Sequence, residues 1–452
     1  MNAVSLAHEP AWVAQPAAHE IIKASLEHLC GRSPFLARLA LRMLEETGTR
    51  LIDWVDRVSS SASEAELLAV GFVKDNNQIL NVFRHPHAQL PAVVLDYGKQ
   101  LVAIKVESVI DFLIAHGLDS RCQIFGNPGA ALRRCCVDCH PDLECWLVER
   151  HGTQGWQTED SSVELAANLT CHRERFYIRR RNYDCMVDGF AHARELIDDA
   201  IPEIGRERTC DLFFEAERAY WQSRNDAAAM QRMRQDRLGL GWANHDHHTY
   251  RSSRGAFKPL ISILEHLGFQ CRERFYAGRE AGWGAQVLEQ PACGIVIFAD
   301  VDLAPDEILQ DFAHEPLSPR ADRGTVGLWC ALHGEAFLTA GLHHLECQFD
   351  FEHARSQLAG QGVNTMKPFT DLPHLRQAFT EGQRWPVSEV ALQAAQVAGF
   401  ITPQQADAFR EQGAIGSHLE ILERKDGYKG FNQTGISEII SATDPRKQLT
   451  SR

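Results

Sequence analysis

Three short segments, far apart in the chain, each show the alternation of a β-strand and each offer a side chain able to bind a metal. A chain can set such segments side by side only in a sheet. They are Asn244-His245-Asp246-His247-His248-Thr249-Tyr250-Arg251, Leu342-His343-His344-Leu345-Glu346-Cys347 and Gly416-Ser417-His418-Leu419-Glu420-Ile421-Leu422-Glu423-Arg424, the last followed by a turn at Gly427 to Phe431. Side chains of a strand alternate between faces, so only one of two adjacent histidines can enter a given cavity. In the first segment His245, His247, Thr249 and Arg251 share a face, opposite Asp246, His248 and Tyr250. In the second His344 goes with Glu346 and Gln348; in the third Glu420 goes with Leu422 and Arg424. Positions 247, 344 and 420 are 97 and 76 residues apart (344 − 247 and 420 − 344), room for one compact unit plus an insertion. Two histidines and a carboxylate from three strands make a facial triad, which leaves half of an octahedral Fe(II) open to a 2-oxoacid and dioxygen. The expected iron ligands are His247, His344 and Glu420, with His344 chosen over His343 by register. With 21 histidines in the chain, the alternative is a chance placement in which each imidazole is merely hydrogen-bonded.

The pattern around these segments repeats. From His245 a strand is followed by a helix over 256–267 with Gly268 at its C-cap, then by strands over 269–276, 283–289 and 294–301. A third such βαβββ unit starts at 342–349, with a helix over 351–360 and strands at 365–369 and 418–423. Between those last strands, 373–412 reads as a helical insertion able to cover a pocket mouth, and 303–335 as irregular. An earlier unit runs through Leu101–Val106, a helix over 109–116, and strands at 122–125, 132–137 and 145–148. The spacing of Ile21, Ile22, Leu26, Leu29, Leu36, Leu39, Leu41 and Leu44 predicts helix over 20–58, and a helical run covers 210–238. The expected fold is α+β: repeated βαβββ modules forming an open barrel around a metal, with a helical N-terminal region and helical insertions. The divisions are a helical region 1–90, a degenerate module 91–165, a mainly helical bridge 166–240 and a catalytic domain 241–445 of two modules. The N-terminal half is left to complete a four-module barrel, mediate a homodimer or gate the pocket.

At 452 residues the chain exceeds what one core usually carries. A net charge of −14 disfavours a nucleic-acid partner, which requires a clustered basic surface. The local exception, 173–181 with Arg179-Arg180-Arg181, reads as a turn or a carboxylate-pairing patch. No apolar run is long enough to span a bilayer, and the first residues lack the basic and apolar regions of a signal peptide. Thirteen cysteines then read as free thiols in a reducing cytoplasm. Cys135-Cys136-Val137-Asp138-Cys139-His140 with Cys145 contains one CxxC; zinc needs four ligands, so plain strand cysteines are expected there. Glu423-Arg424 reads as an exposed ion pair. No phosphate-binding loop, nucleophile elbow or dinucleotide fingerprint is present.

His247-x-x-x-Arg251 after Asp246, with a helix and Gly268-Phe269 behind it, resembles the first metal strand of the 2-oxoadipate dioxygenase/decarboxylase (hydroxyglutarate synthase) family, whose core is vicinal-oxygen-chelate-like. Residues 418–431 are similar to the C-terminal end of the 4-hydroxyphenylpyruvate dioxygenases, where a strand supplies the metal carboxylate and a Gly-Phe turn starts a closing helix. The resemblance spans 241–445. It implies Fe(II) on His247, His344 and Glu420, a substrate carboxylate on Arg251, and dioxygen-dependent decarboxylation of a 2-oxoadipate-like 2-oxoacid to a 2-hydroxy diacid such as 2-hydroxyglutarate. Gln348 and Glu346, beside the second ligand, are expected to brace it or touch substrate. Two departures matter. Asn432-Gln433-Thr434-Gly435-Ile436 replaces the Gly-Lys-Gly-Asn-Phe run of the phenylpyruvate enzymes, which disfavours an aromatic 2-oxoacid, and His343 stands where an asparagine is expected. The remaining alternatives are a non-redox metal-dependent lyase or isomerase and a binding module with a decayed site.

Overall fold

The computed structural model describes residues 12–320, 324–370, 372–432 and 444–447. Helices α1 (Pro16–Arg32) and α2 (Pro34–Arg42) lead, separated by Ser33, whose hydroxyl accepts from the Leu36 amide and caps the second helix. The helix expected over 20–58 stops short. After a π turn at Met43–Thr47 and a 3-10 turn at Leu51–Trp54, the chain extends as β1 (Val55–Ser59). With α3 (Glu64–Ala69), β2 (Val73–Lys74), β3 (Asn81–Arg84) and β4 (Ala92–Leu95), β1 makes a βαβββ unit that lies mostly within the stretch read as helical, its last strand just beyond it. Its helix has six residues and β2 only two, too few for a period to register.

The second unit is β5 (Gln100–Lys105), α4 (Val109–Ala115), β6 (Ile124–Phe125), β7 (Leu132–Cys139) and β8 (Leu143–Arg150), in the order expected. The two units form one mixed sheet ordered β2-β3-β4-β1-β5-β8-β7-β6. First strands β1 and β5 meet antiparallel at the centre, and each pairs in parallel with the last strand of its own unit.

Four helices follow: α5 (Val163–Ile178), α6 (Met186–Ile204), α7 (Arg206–Gln222) and α8 (Asp226–Asp236). The run expected over 210–238 is broken at Asn225, whose side chain accepts from the Ala228 amide and caps α8. The arginine cluster is a carboxylate-pairing patch: Arg179 and Arg181 close on buried Glu217 of α7.

The second half repeats the plan. Unit three is β9 (His245–Arg251), α9 (Arg254–His266), β10 (Gln270–Tyr276), β11 (Trp283–Gln290) and β12 (Ile295–Asp302). After α10 (Thr325–His333) comes unit four: β13 (His344–Gln348), α11 (Phe351–Ala359), β14 (Leu375–Phe379), β15 (Gln383–Trp385), the inserted helices α12 (Glu389–Val397) and α13 (Pro403–Gln412), and β16 (Ala414–Arg424). The sheet order is β10-β11-β12-β9-β13-β16-β14, with β15 also on β16. Again β9 and β13 are antiparallel at the centre, and β9–β12 and β13–β16 are parallel. Three expectations are corrected. The strand placed at 365–369 is a single bridge between Thr365 and Thr380, the helical insertion begins with strands β14 and β15, and the irregular 303–335 holds α10. In place of one barrel there are two open eight-stranded sheets, neither of them closed.

One face of the second sheet, with Tyr250, Ile297, Leu345, Cys347, Leu419 and Ile421, packs into the main core against the bridging helices and α9. Tyr250 also donates to Glu217 (3.0 Å). In the first sheet, β1, β5 and α4 share a core with α1 and α2. Its other face is filled by Val82, Ala92, Val94, Leu101, Ala103, Leu132, Trp146, Val148 and Trp156, with Arg57 over the Trp156 ring at 4.7 Å. In the second sheet the opposite face is polar. Cys135 and Cys145 are buried free thiols, and among the described residues no three metal ligands gather near them. No described helix is long and apolar enough to cross a membrane.

His151 ties the first sheet to the bridge, with Nδ1 at 2.8 Å from Asp211 and Nε2 at 2.9 Å from Glu149. Burial opposes its charge, but the hydrogen bonds to Asp211 and Glu149 outweigh it and raise the imidazole to about 9. A pKa raised on folding adds stability that is complete below the unfolded value near 6.5 and lost as pH rises through about 9. The unfolding free energy from urea titrations should therefore fall between those limits, by an amount on the order of 3 kcal/mol, and His151→Gln should flatten that fall.

Candidate metal centre

Register builds the site. Across β9 and β13 His247 faces Glu346 and Thr249 faces His344; across β13 and β16 Glu346 faces Glu420. One row across three central strands thus holds His247, Glu346 and Glu420, with His344 one step along. All four are buried. Glu346 lies at the middle: its Oε1 is 2.8 Å from His247 Nε2 and 2.7 Å from His344 Nε2, and accepts from the Thr249 hydroxyl at 2.9 Å. Glu420 is 3.6 Å from His344 Nε2 and accepts from Gln377 of β14 at 2.8 Å. The structure turns His344, not His343, toward this cluster; His343 Nδ1 meets His344 Nδ1 from behind.

Asp246 departs from the alternation. Between Glu346 and Cys347 the partner on β9 moves from His247 to His245, which leaves Asp246 as the extra residue of a β-bulge. Its carboxylate thereby joins the site face and accepts five hydrogen bonds: His247 Nδ1 (2.8 Å), Arg424 Nε (2.8 Å) and Nη2 (2.9 Å), Gln348 Nε2 (2.8 Å) and Gln89 Nε2 (2.9 Å). Burial alone would raise Asp246, but Arg424 and His247 hold it well below the usual carboxylate range. Arg424 is buried, not the exposed partner of Glu423 expected from sequence; it also donates to the carbonyls of Tyr428 (3.1 Å) and Gly430 (2.6 Å). That clamp brings the Phe431 ring to 4.9 Å from His247 and 4.4 Å from Phe298. The N-terminal half holds the same turn, through the Gln89 amide to the Gly427 carbonyl (2.9 Å) and a bridge from Ala88 to Tyr428. Phe379 stands 5.0 Å from His344, so the walls are aromatic. Residues 433–443, where the closing helix was expected, lie outside the described residues.

His247 reaches acceptors from both ring nitrogens, which only the imidazolium can do. Burial opposes this charge, but Glu346 and Asp246 raise His247 above its ordinary value. Glu346 is held down to about 2, the His247 and His344 imidazoles outweighing its burial. Glu420 is pushed well above the carboxylate range by burial and by Glu346. The two neighbouring carboxylates are thus pushed in opposite directions, Glu346 down and Glu420 up. Burial lowers His344, and it drives His418 and His333 down to about 3.

This donor set fits a divalent cation. The buried Glu346 Oε2 has no hydrogen-bond partner, and ligand atoms of His344, Glu346 and Glu420 lie within 4.8 Å of one another. A cation in place of the His247 Nε2 proton would engage that oxygen and let Glu420 ionise. Asp246 would keep the tautomer whose Nε2 lone pair faces inward. The donors are imidazole and carboxylate without sulfur, the preference of iron, manganese, zinc or nickel.

The predicted residues divide accordingly. His344 and Glu420 gather with Glu346, a residue not among the expected ligands, and His247 reaches this group through Glu346 Oε1. Arg251 is on the same face but further along, buried, beside Asp300 in register and 5.8 Å over the Trp329 ring. Asp300 is pushed well above the carboxylate range by burial, against the pull of Arg251, and its Oδ1 has no hydrogen-bond partner. Gln348 spends its amide on Asp246, so it braces the site rather than opening onto it. Gln377, Thr249 and Asp300 were missed; Gln377 carried no signal because its strand was hidden in an apparently helical stretch.

Replacing Arg424 by Met leaves Asp246 buried with its main counter-charge gone. The expected loss is about 3–5 kcal/mol in urea unfolding at neutral pH. The Arg424→Met/Asp246→Asn double variant should lose less than the two single losses combined. Because the Asp246 value is depressed, the pair's contribution should hold from neutral pH down to about 4 and fade in stronger acid.

No family model and no curated protein matches this chain. Solved structures do. A Shewanella frigidimarina protein named as a hydrolase is 14% identical over 50% of this chain and 98% of its own, with a TM-score of 0.36. A variant of 4-hydroxymandelate synthase from Streptomyces coelicolor is 11% identical over 87% of this chain and 98% of its own, with a TM-score of 0.29. The uncharacterized Shigella flexneri protein YdcJ, which includes domain DUF1338, is 12% identical over 57% of this chain and 82% of its own, with a TM-score of 0.25. At likenesses this distant, the reading of the centre rests on its own side chains.

Proposed function

We propose that the protein is a non-haem Fe(II)-dependent dioxygenase that decarboxylates a 2-oxoacid, with His247, His344 and Glu420 as the metal ligands. The observation that supports this most directly is the convergence of two imidazoles and two carboxylates from three neighbouring strands in a buried, aromatic-walled site. Iron, when bound, supplies the chemistry of dioxygen and of the chelated 2-oxoacid. The chain's own residues do the rest. Asp246 fixes the His247 tautomer, Gln377 holds Glu420, Thr249 holds Glu346, and Phe298, Phe379 and Phe431 keep water out. Arg251, further along the face, is the group suited to a second substrate carboxylate, since a guanidinium grips a carboxylate through two parallel hydrogen bonds. A 2-oxo diacid of the 2-oxoadipate kind is therefore the favoured substrate, over an aromatic 2-oxoacid.

One observation favours a second reading. If Glu346 ligated as well, the cation would have four side-chain donors and less room for dioxygen beside a chelating substrate, which suits a non-redox lyase or isomerase that uses no dioxygen.

Anaerobically purified protein should bind one Fe(II) and consume dioxygen when given 2-oxoadipate, releasing carbon dioxide. His247→Ala and Glu420→Ala should each abolish metal binding and uptake; uptake at the parental rate in either variant overturns the assignment. Turnover under nitrogen would select the lyase or isomerase. Arg251→Ala should raise KM for a diacid by about tenfold to a hundredfold, the worth of one or two charged hydrogen bonds, and barely change KM for a monocarboxylic 2-oxoacid.

A further inference from the structure

A second group of metal-competent side chains lies on the outer edge of the catalytic half. Glu265 near the end of α9, Cys271 on the edge strand β10 and His314 in the segment after β12 offer ligand atoms within 4.8 Å of one another. The His314 ring is anchored between two carboxylates, and an incoming ion would take the place of its Nε2 proton. Its Nδ1 is held by Asp311 at 2.8 Å, which leaves Nε2 facing Glu265 at 2.8 Å. Asp311 is itself fixed, by Arg274 at 3.2 Å and by a turn in which its carbonyl accepts from the His314 and Glu315 amides. Cys271 borders a β-bulge, where the pairing with β11 slips between Cys271 and Glu273. Bulges re-aim side chains at sheet edges. All three ligand candidates are exposed to solvent, so an ion could arrive without any opening of the fold.

We propose that Cys271, His314 and Glu265 form a second, solvent-facing divalent-metal site of the zinc class, with Asp311 as the positioning residue that fixes the imidazole. A thiolate, an imidazole and a carboxylate complete three corners of a tetrahedron and leave the fourth to water. The Cys271 S–H and His314 Nε2 protons pass to solvent as the ion binds. This site stands apart from the buried centre and does not depend on the reaction assigned there.

Cobalt(II) separates the two sites, because a thiolate ligand gives an intense near-ultraviolet charge-transfer band and the imidazole–carboxylate centre has no sulfur. Metal-free protein titrated anaerobically with Co(II) should develop that band and reach saturation by two equivalents, since the buried centre competes for the first, and Zn(II) should bleach it. Cys271→Ser should abolish the band while leaving the thermal midpoint and the activity unchanged. Asp311→Asn should weaken Co(II) binding, read from the same band, by about tenfold to a hundredfold. Absence of the band in the parent protein would reduce the group to an ion pair. Survival of the band in Cys271→Ser would assign it to another thiol, and either result overturns the proposal.

Discussion

Five hydrogen bonds to one buried carboxylate organise the centre. Asp246 accepts from His247, Arg424, Gln348 and Gln89, and each donor controls something different. His247 has its tautomer set, Arg424 anchors the turn carrying Phe431, Gln348 ties in β13, and Gln89 brings in the other half of the chain. A buried charge is tolerable only when its lone pairs are satisfied, and here satisfying them fixes the geometry of the pocket. A single extra residue in β9 makes this possible.

Four copies of one βαβββ unit give the molecule two sheets with the same strand order at their centres but opposite uses of the corresponding face. In the first sheet Val, Ala, Leu and Trp side chains fill it. In the second, His, Glu, Thr and Gln occupy it, and the helices of the bridge cover only the other side. At the centre the strand pairings correspond, so the difference there lies in the side chains. Apolar filling stabilises a sheet face directly. The polar face must recover its desolvation cost through mutual hydrogen bonds, and it leaves atoms such as Glu346 Oε2 and Asp300 Oδ1 unsatisfied.

Units two and three were legible in the sequence because their longer strands, seven or eight residues at β7 to β12, give alternation room to show. Unit one was not, because its helix and β2 are too short to carry a period, and α1 and α2 imposed a helical one nearby. β14 alternates over five residues but sits among Ala- and Gln-rich neighbours that read as helix. The convergence of residues 247, 344 and 420 could be anticipated from strand faces. Glu346 was expected beside them from its face, but its position in the middle was not, since that depends on the pairing of β9 with β13 and of β13 with β16. Asp246 was assigned to the wrong face for a local reason: a bulge shifts parity by one, and a period of two cannot see it.

The loop at Ala88 and Gln89, which belongs to the half without the polar cluster, reaches across to the turn after β16 and to Asp246. The two halves are therefore not a catalyst and a passive passenger. A change in that loop would be felt at Asp246 and, through it, at His247, although neither lies in that half. The first half therefore helps set the geometry of the polar cluster in the second.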